Sequence, residues 1–323
     1  MIVLPTTTEE KKPKWLNSPI SVFEGSLDKM FEHLPIFERR EFGLQPKEDE
    51  EIISHTRLDT IVRLPYKEHN HAVPVGVVSK DYNLIQHKDV LDIALKALEA
   101  ANIKKEDVKA KLTITEYGER MALSIFLPEK YQYDPGDNNP MALRLECINS
   151  VDGSTRFRAI MGWFRFVCSN GLVIGVTSTD MHRRHVGDIQ LEHVGSVLTS
   201  GMKSVEKEQR NFDIWRKSKI SPDRINPWIE SAVFKTWGFK AATRVFNIAR
   251  SGSDIEIIGT YKGYTPTSIP VRATQKVPGS EHGCQTLYDV SQILAWLAKE
   301  RRDFQEQLEW REQIPKLMKP LLN

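Results

Sequence analysis

The chain has 323 residues, with 45 Lys+Arg against 43 Asp+Glu and a formal net charge of +2; 40% of residues are hydrophobic and 27% charged, the balance of a globular protein. No apolar run approaches the roughly 20 residues needed to span a bilayer, and the acidic residues that follow MIVLPTTT argue against a secretory signal. Three cysteines, Cys147, Cys168 and Cys284, are too few and too dispersed for a disulfide framework or a cysteine-bound zinc, so a reducing, cytoplasmic setting is expected.

The near-neutral total hides an uneven distribution. Residues 1–60 hold 8 Lys+Arg and 12 Asp+Glu, a local net of −4, whereas residues 144–250 hold 17 and 10, a local net of +7. Such segregation suits either a phosphate-binding face or a helix with a solvated cationic side.

In chain order, residues 1–58 are acidic and interrupted by Pro5, Pro13, Pro19, Pro35 and Pro46, and read as an irregular arm with one short helix near 26–33. Thr60–Leu64 and Val73–Val78 are rich in β-branched residues and predict strands. Val90, Leu91, Ala94, Leu95, Leu98 and Ala101 recur at helical spacing and predict a helix over 88–101. A hairpin turned at Gly118-Glu119 sets Leu112 opposite Ile125 and Ile114 opposite Leu123, with the apolar residues on one face. A second hairpin turned at Asp152-Gly153 sets Asn149 opposite Arg156, Cys147 opposite Arg158 and Leu145 opposite Ile160. Asn170-Gly171 marks a further turn before a strand over 172–176. Helices are expected over 189–218, 226–236 and 239–250, a strand pair over 255–261 and 269–273, and a last helix from Thr286 to before Pro315. These elements make an α+β protein: an acidic arm (1–58), an antiparallel hairpin core with helices (59–186), and a mainly helical part packing on or beside it (187–323).

Enzyme signatures are missing. There is no P-loop, no GxSxG, no dinucleotide fingerprint, no HExxH and no zinc-deaminase pattern. The pairs His69/His71 and His182/His185 lack further ligands, and the second flanks two arginines, so neither a metal nor a cofactor is expected.

The densest run of unusual residues spans 144–188. Its hairpin NSVDGSTRFRA, followed by RFVCSNGL and RRHVGD, resembles a phage- and plasmid-associated family, the domain of unknown function 932; VGVVSKDYNLIQHKDV at 75–90 resembles the same family's first strand and helix. The resemblance spans roughly residues 60–250. It implies a protein of mobile elements in a bacterial host and carries no catalytic residue with it. Its signature polar residues here are Asn149, Asp152, Gly153, Ser154, Cys168, Ser169, Asn170, Gly171 and His185.

Two readings of this block stand side by side. Asp152-Gly153 and Asn170-Gly171 are turn residues, with Ser154 and Ser169 capping backbone groups and Cys147 and Cys168 buried as small side chains. Alternatively Arg156, Arg158, Arg165, Arg183 and Arg184 line a phosphate groove in which Trp163, Phe164 and Phe166 stack on bases, with Lys203, Lys207 and Arg210 extending it along a helix face. The leading expectation is single-stranded DNA binding or annealing, with no membrane partner and room for a homo-oligomer. An enzyme centred on Asp152, Arg165, Asn170 and His185 and acting on a phosphorylated or nucleotide-like small molecule, or a protein-interaction or host-defence-modulating factor, are the alternatives.

Overall fold

The computed structural model describes residues 13–45, 51–67, 70–136, 140–165, 181–183 and 193–322, with the backbone alone at 181–183 and 193. β1 (Lys14–Trp15) turns back through Leu16 and Asn17, both left-handed at φ 47° and 71°, into β2 (Ser18–Gly25). A 3₁₀ turn at Leu27–His33 buries Leu27 and Met30. β3 (Phe37–Leu44), β4 (Ile53–Arg63) and β5 (Val73–Ser79) form a three-stranded antiparallel sheet, and α1 (His87–Ala100) follows. The short helix expected near 26–33 is present, but the other described residues of the arm are not irregular. Residues 13–45 are largely strands, because β2 pairs with a partner some 90 residues later, a long-range bond that no local periodicity reveals.

The main sheet is completed by β6 (Lys109–Thr115), β7 (Arg120–Phe126), β8 (Gln132–Tyr133), β9 (Met141–Ser150), β10 (Phe157–Arg165) and β11 (Met181–Arg183). Its order is β1-β2-β6-β7-β9-β10-β11, with β8 on the outer end of β9, and every pairing is antiparallel. Both expected hairpins exist with altered registers. In β6–β7, Leu112 faces Leu123 and Ile114 faces Met121, a slip of two that leaves the apolar residues on the expected face. The turn is a four-residue loop in which the Glu119 carboxylate accepts from Thr115 Oγ1 at 2.7 Å.

The β9–β10 slip is one residue and matters more. Cys147 faces Ala159, Ile148 faces Arg158 and Leu145 faces Met161. The Asp152-Gly153 turn is wider than two residues because Ser150 Oγ donates to Thr155 O at 2.8 Å and accepts from Thr155 N at 3.1 Å, closing a loop around Asp152. An odd slip sends side chains to the opposite face. Arg158 therefore leaves the Cys147–Leu145 face and joins Ile148.

α2 (His193–Lys217), α3 (Pro222–Trp228), a π turn (Ile229–Val233) and α4 (Phe234–Ser251) follow. Gly238, at φ 79°, breaks the helical path where the Trp237-Gly238 pair predicts a separation. β12 (Ser253–Ile257) and β13 (Val271–Lys276) make a separate hairpin. The last helix divides into α5 (Leu287–Lys299) and α6 (Phe304–Leu322). A capping box between Thr286 and Asp289 starts α5, and Asp303 Oδ1 accepts from Gln305 N at 2.9 Å to start α6.

Alternate strand residues give the sheet two unlike faces. Leu112, Leu123, Leu145, Met161 and Trp163 enter one apolar core with α1, α2, α4, α5 and the end of α6. There α2 crosses β10 so closely that a Cβ on Gly201 would lie 2.5 Å from Met161 Cγ. The opposite face carries a small cluster of Trp15, Ala122, Ile148, Ile160 and Leu308 amid buried charge, covered by α6.

Candidate functional site

The two segments that carry the family likeness meet in space. A Cβ on Gly76 of β5 would sit 2.7 Å from Asp152 Cα, so the strand and the β9–β10 loop approach backbone to backbone. Tyr82 Oη donates to Ser150 O at 2.9 Å. Asn149 Nδ2 donates to Ile85 O and lies 3.0 Å from His87 Nδ1, while His87 Nε2 lies 2.7 Å from Gly118 O. These partners set the ring: Nε2 carries the proton and Nδ1 accepts. Asp152 Oδ1 accepts from Ser154 N and Oγ, and Asp152 Oδ2 binds Arg120 Nη2 at 2.6 Å; Arg120 Nε donates to Ser154 Oγ at 2.7 Å. Gly153 takes φ 75°. Asp152 and Gly153 thus meet the three-stranded sheet at Gly76 and Val78, Ser154 closes on Arg120 of the main sheet, and Asn149 ties β9 to the start of α1.

The expected phosphate groove does not assemble from the β10 residues. Trp163 is wholly buried and stands edge-on to Phe212 at 5.9 Å and to Tyr133 at 6.2 Å, so it offers no ring to a base. Arg165 is also wholly buried; its Nη1 donates to Gln292 Oε1 at 2.9 Å and its guanidinium lies over Tyr288. Arg158 is 7% exposed and pairs with Glu312 of α6. Beside it, Glu146 lies between Arg144 Nη2 at 3.2 Å and Arg311 Nη2 at 3.3 Å. Burial alone would raise the Glu146 pKa, and the two guanidiniums outweigh it and hold the carboxyl below the usual range; burial draws Arg144 down to about 10. Four arginines of the cationic segment, including Arg244 paired with Asp254, therefore serve the interior.

The four-residue enzyme centre does not form between its two described members. Asp152 sits in the loop after β9 and Arg165 at the far end of β10, roughly 25 Å apart at the usual rise per strand residue. Cys147 is buried with its thiol pushed up to about 12, which suits packing rather than attack. Cys168, Ser169, Asn170, Gly171, Arg184 and His185 lie outside the described residues, as does the Arg183 side chain. Arg156 is exposed next to the tip of β10, and Lys203, Lys207 and Arg210 are exposed on α2.

A surface that no motif announces is the loop between β12 and β13. Tyr261 and Tyr264 are 41% and 44% exposed, with Lys262 between them, and Ile258 and Phe234 are exposed nearby. Phe239 packs on Tyr261 at 5.1 Å, Phe234 meets Phe239 edge-on, and Lys240 Nζ stands 5.3 Å from the Tyr261 ring centre. Gly259 (φ 97°) and Gly263 (φ 82°) shape the loop. The available signal in the sequence is Tyr-Lys-Gly-Tyr inside a Gly/Pro-rich turn: two rings with no apolar periodicity to bury them.

Among the described residues, no group of His, Cys, Asp and Glu could hold a metal ion, and no helix is long and apolar enough to cross a membrane. Fold and surface together define an α+β protein with an antiparallel sheet packed with helices and a β12–β13 loop that exposes Tyr261, Lys262 and Tyr264. The chain belongs to the family described as a domain of unknown function (DUF932), whose model matches residues 74–269. No solved structure matches it.

Proposed function

We propose that this chain is a nucleic-acid-binding protein of phage or plasmid type, acting on single-stranded DNA in the cytoplasm of a bacterial host. The observation that carries the reading is the β12–β13 loop. Solvent-facing rings at Tyr261 and Tyr264 beside Lys262 and Lys240 match what a flexible strand requires, since cations follow the phosphates and rings stack on bases of any identity. Arg156 and the Lys203, Lys207 and Arg210 face of α2 add exposed cations.

The test is fluorescence anisotropy of a labelled oligo(dT) titrated with the protein across a salt series. Affinity should fall steeply with salt, and Tyr261→Ala with Tyr264→Ala should weaken it by about 1–3 kcal/mol per stacked base. Replacing Lys240 and Lys262 by Ala should lower the salt slope by about 0.7 for each phosphate that is no longer neutralised. No binding at low salt with ~10 μM protein, or affinity indifferent to salt and to all four substitutions, overturns the reading.

A further inference from the structure

A second site lies away from the hairpin loop, in a cleft of about 270 Å³ between β2, the 3₁₀ turn, the end of β4 and the β6–β7 loop. Its floor is Arg63, the last residue of β4, which is 2% exposed. Nε and Nη2 of Arg63 have no hydrogen-bond partner. These two nitrogens form one edge of the guanidinium, the edge that grips two oxygens of an anion side by side. A buried guanidinium with that edge unmet is costly, so a ligand that meets it is strongly favoured.

The second cation is Lys67. Its backbone is left-handed at φ 50°, a strained conformation for a residue with a side chain. It carries Nζ to 3.2 Å from His33 Nδ1, 5.6 Å from the centre of the Phe23 ring and 5.0 Å from that of Tyr66. His33 is stacked on Phe23 at 3.6 Å, and burial together with Lys67 lowers its pKa, so the ring is neutral and accepts from the ammonium. Neither Arg63 nor Lys67 has a carboxylate partner among the described residues; Glu116, exposed, is the acidic residue that lines the cleft. Tyr117, 39% exposed, lies over the Arg63 guanidinium at 5.5 Å and flanks the opening.

We propose that this cleft binds a phosphate monoester, its phosphate held by the unpaired edge of Arg63 and by Lys67 and its organic part lying along Tyr117. Two cations at one small site match the dianionic charge of a monoester better than the single charge of a carboxylate. Inorganic phosphate and a free nucleotide share this chemistry with the 5′-phosphate at the end of a DNA strand. The proposal stands without the reading of the β12–β13 loop, whose residues take no part in it.

The experiment is calorimetric titration of the full chain with inorganic phosphate, a nucleoside 5′-monophosphate, the matching nucleoside, acetate, and one short oligodeoxynucleotide with and without a 5′-phosphate. The proteins are the wild type, Lys67→Ala, Arg63→Lys and the Tyr261→Ala/Tyr264→Ala variant. The monophosphate should bind at least about tenfold more tightly than the nucleoside or acetate, and Lys67→Ala and Arg63→Lys should each remove about tenfold or more. The Tyr261/Tyr264 variant should bind it like wild type, which separates this site from the hairpin loop. Lys67 is exposed, so its variant tests the site even if Arg63→Lys unfolds, as a thermal melt of each protein reports. A 5′-phosphorylated oligonucleotide favoured over its unphosphorylated twin assigns the strand end as ligand; a preference for the free monophosphate assigns a nucleotide. No binding of any phosphate at about 5 mM, equal binding of nucleoside or acetate, or affinity unmoved in Lys67→Ala overturns the proposal.

Discussion

Asn149 fixes the tautomer of the His87 imidazole: the amide nitrogen, 3.0 Å from Nδ1, donates to that atom, and the Nε2 N–H donates to Gly118 O. Both side chains are wholly buried. The pair ties β9 to the start of α1 and, through Gly118, to the β6–β7 loop, so one interaction orders three elements. Asn149→Ala should leave Ile85 O and His87 Nδ1 without their donor and lower stability by about 2–4 kcal/mol, read as a shift of the urea midpoint at unchanged m-value. A loss under ~0.5 kcal/mol would mean that water replaces the amide.

Gly76 meets the backbone of Asp152 with no room for a methyl group. Gly76→Ala should push the three-stranded sheet off the β9–β10 loop and cost about 1–3 kcal/mol. Hydrogen exchange should locate the damage in β4 and β5 and leave β9 protected. Uniform loss of protection would indicate that the two sheets unfold as one unit.

These joints explain what is legible in the chain alone. The residues of the family-like segments point to turns, and turns are what Asp152, Gly153 and Ser154 make. Helix positions follow from apolar spacing, as in α1, where Val90, Leu91, Ala94 and Leu98 are buried as their period requires. Register does not follow. Asp-Gly suggests a tight turn, whereas the Ser150 hydroxyl bonded to Thr155 widens it, and that one residue moves Arg158 from an expected groove into an ion pair under α6. The cleft around Arg63 is illegible for another reason: Phe23, His33, the Arg63–Lys67 stretch and Tyr117 lie apart in the chain, and only tertiary pairing brings them together.

Glu146 is the anion between Arg144 and Arg311. Glu146→Gln keeps the shape and removes the charge, leaving two buried guanidiniums uncompensated, at a cost of about 3–5 kcal/mol near neutral pH. The sign of the pH dependence follows from the direction of the shift. A carboxyl whose folded pKa is held below its ordinary value contributes stability above that value and loses it as pH falls through the folded pKa. The gap between wild type and Glu146→Gln should therefore narrow in acid, as measured by urea unfolding at a series of pH values. A gap that stays constant down to the acid limit would show that packing, not charge, is what Glu146 supplies.

Glu208 runs the other way. It lies on α2 at 6% exposure, and burial pushes its carboxyl up to about 7, with Lys207 offsetting only part of the rise. A carboxyl raised in the folded state favours the proton, so its contribution is fully present below the ordinary carboxylate pKa and is lost as pH rises through about 7. A shift of that size corresponds to about 3 kcal/mol for a fully enclosed group. Residual access of water to the site reduces the expected effect to about 1–2 kcal/mol. Glu208→Gln should mimic the protonated form, leaving stability unchanged near pH 4 and raising it by that amount at pH 8. Thermal melts of the two proteins across this range provide the check, and the curves should part between the ordinary carboxylate pKa and about 7. Curves that run parallel throughout would place the Glu208 carboxylate in water. α2 would then turn about its axis relative to β10, which the close approach of Gly201 to Met161 opposes.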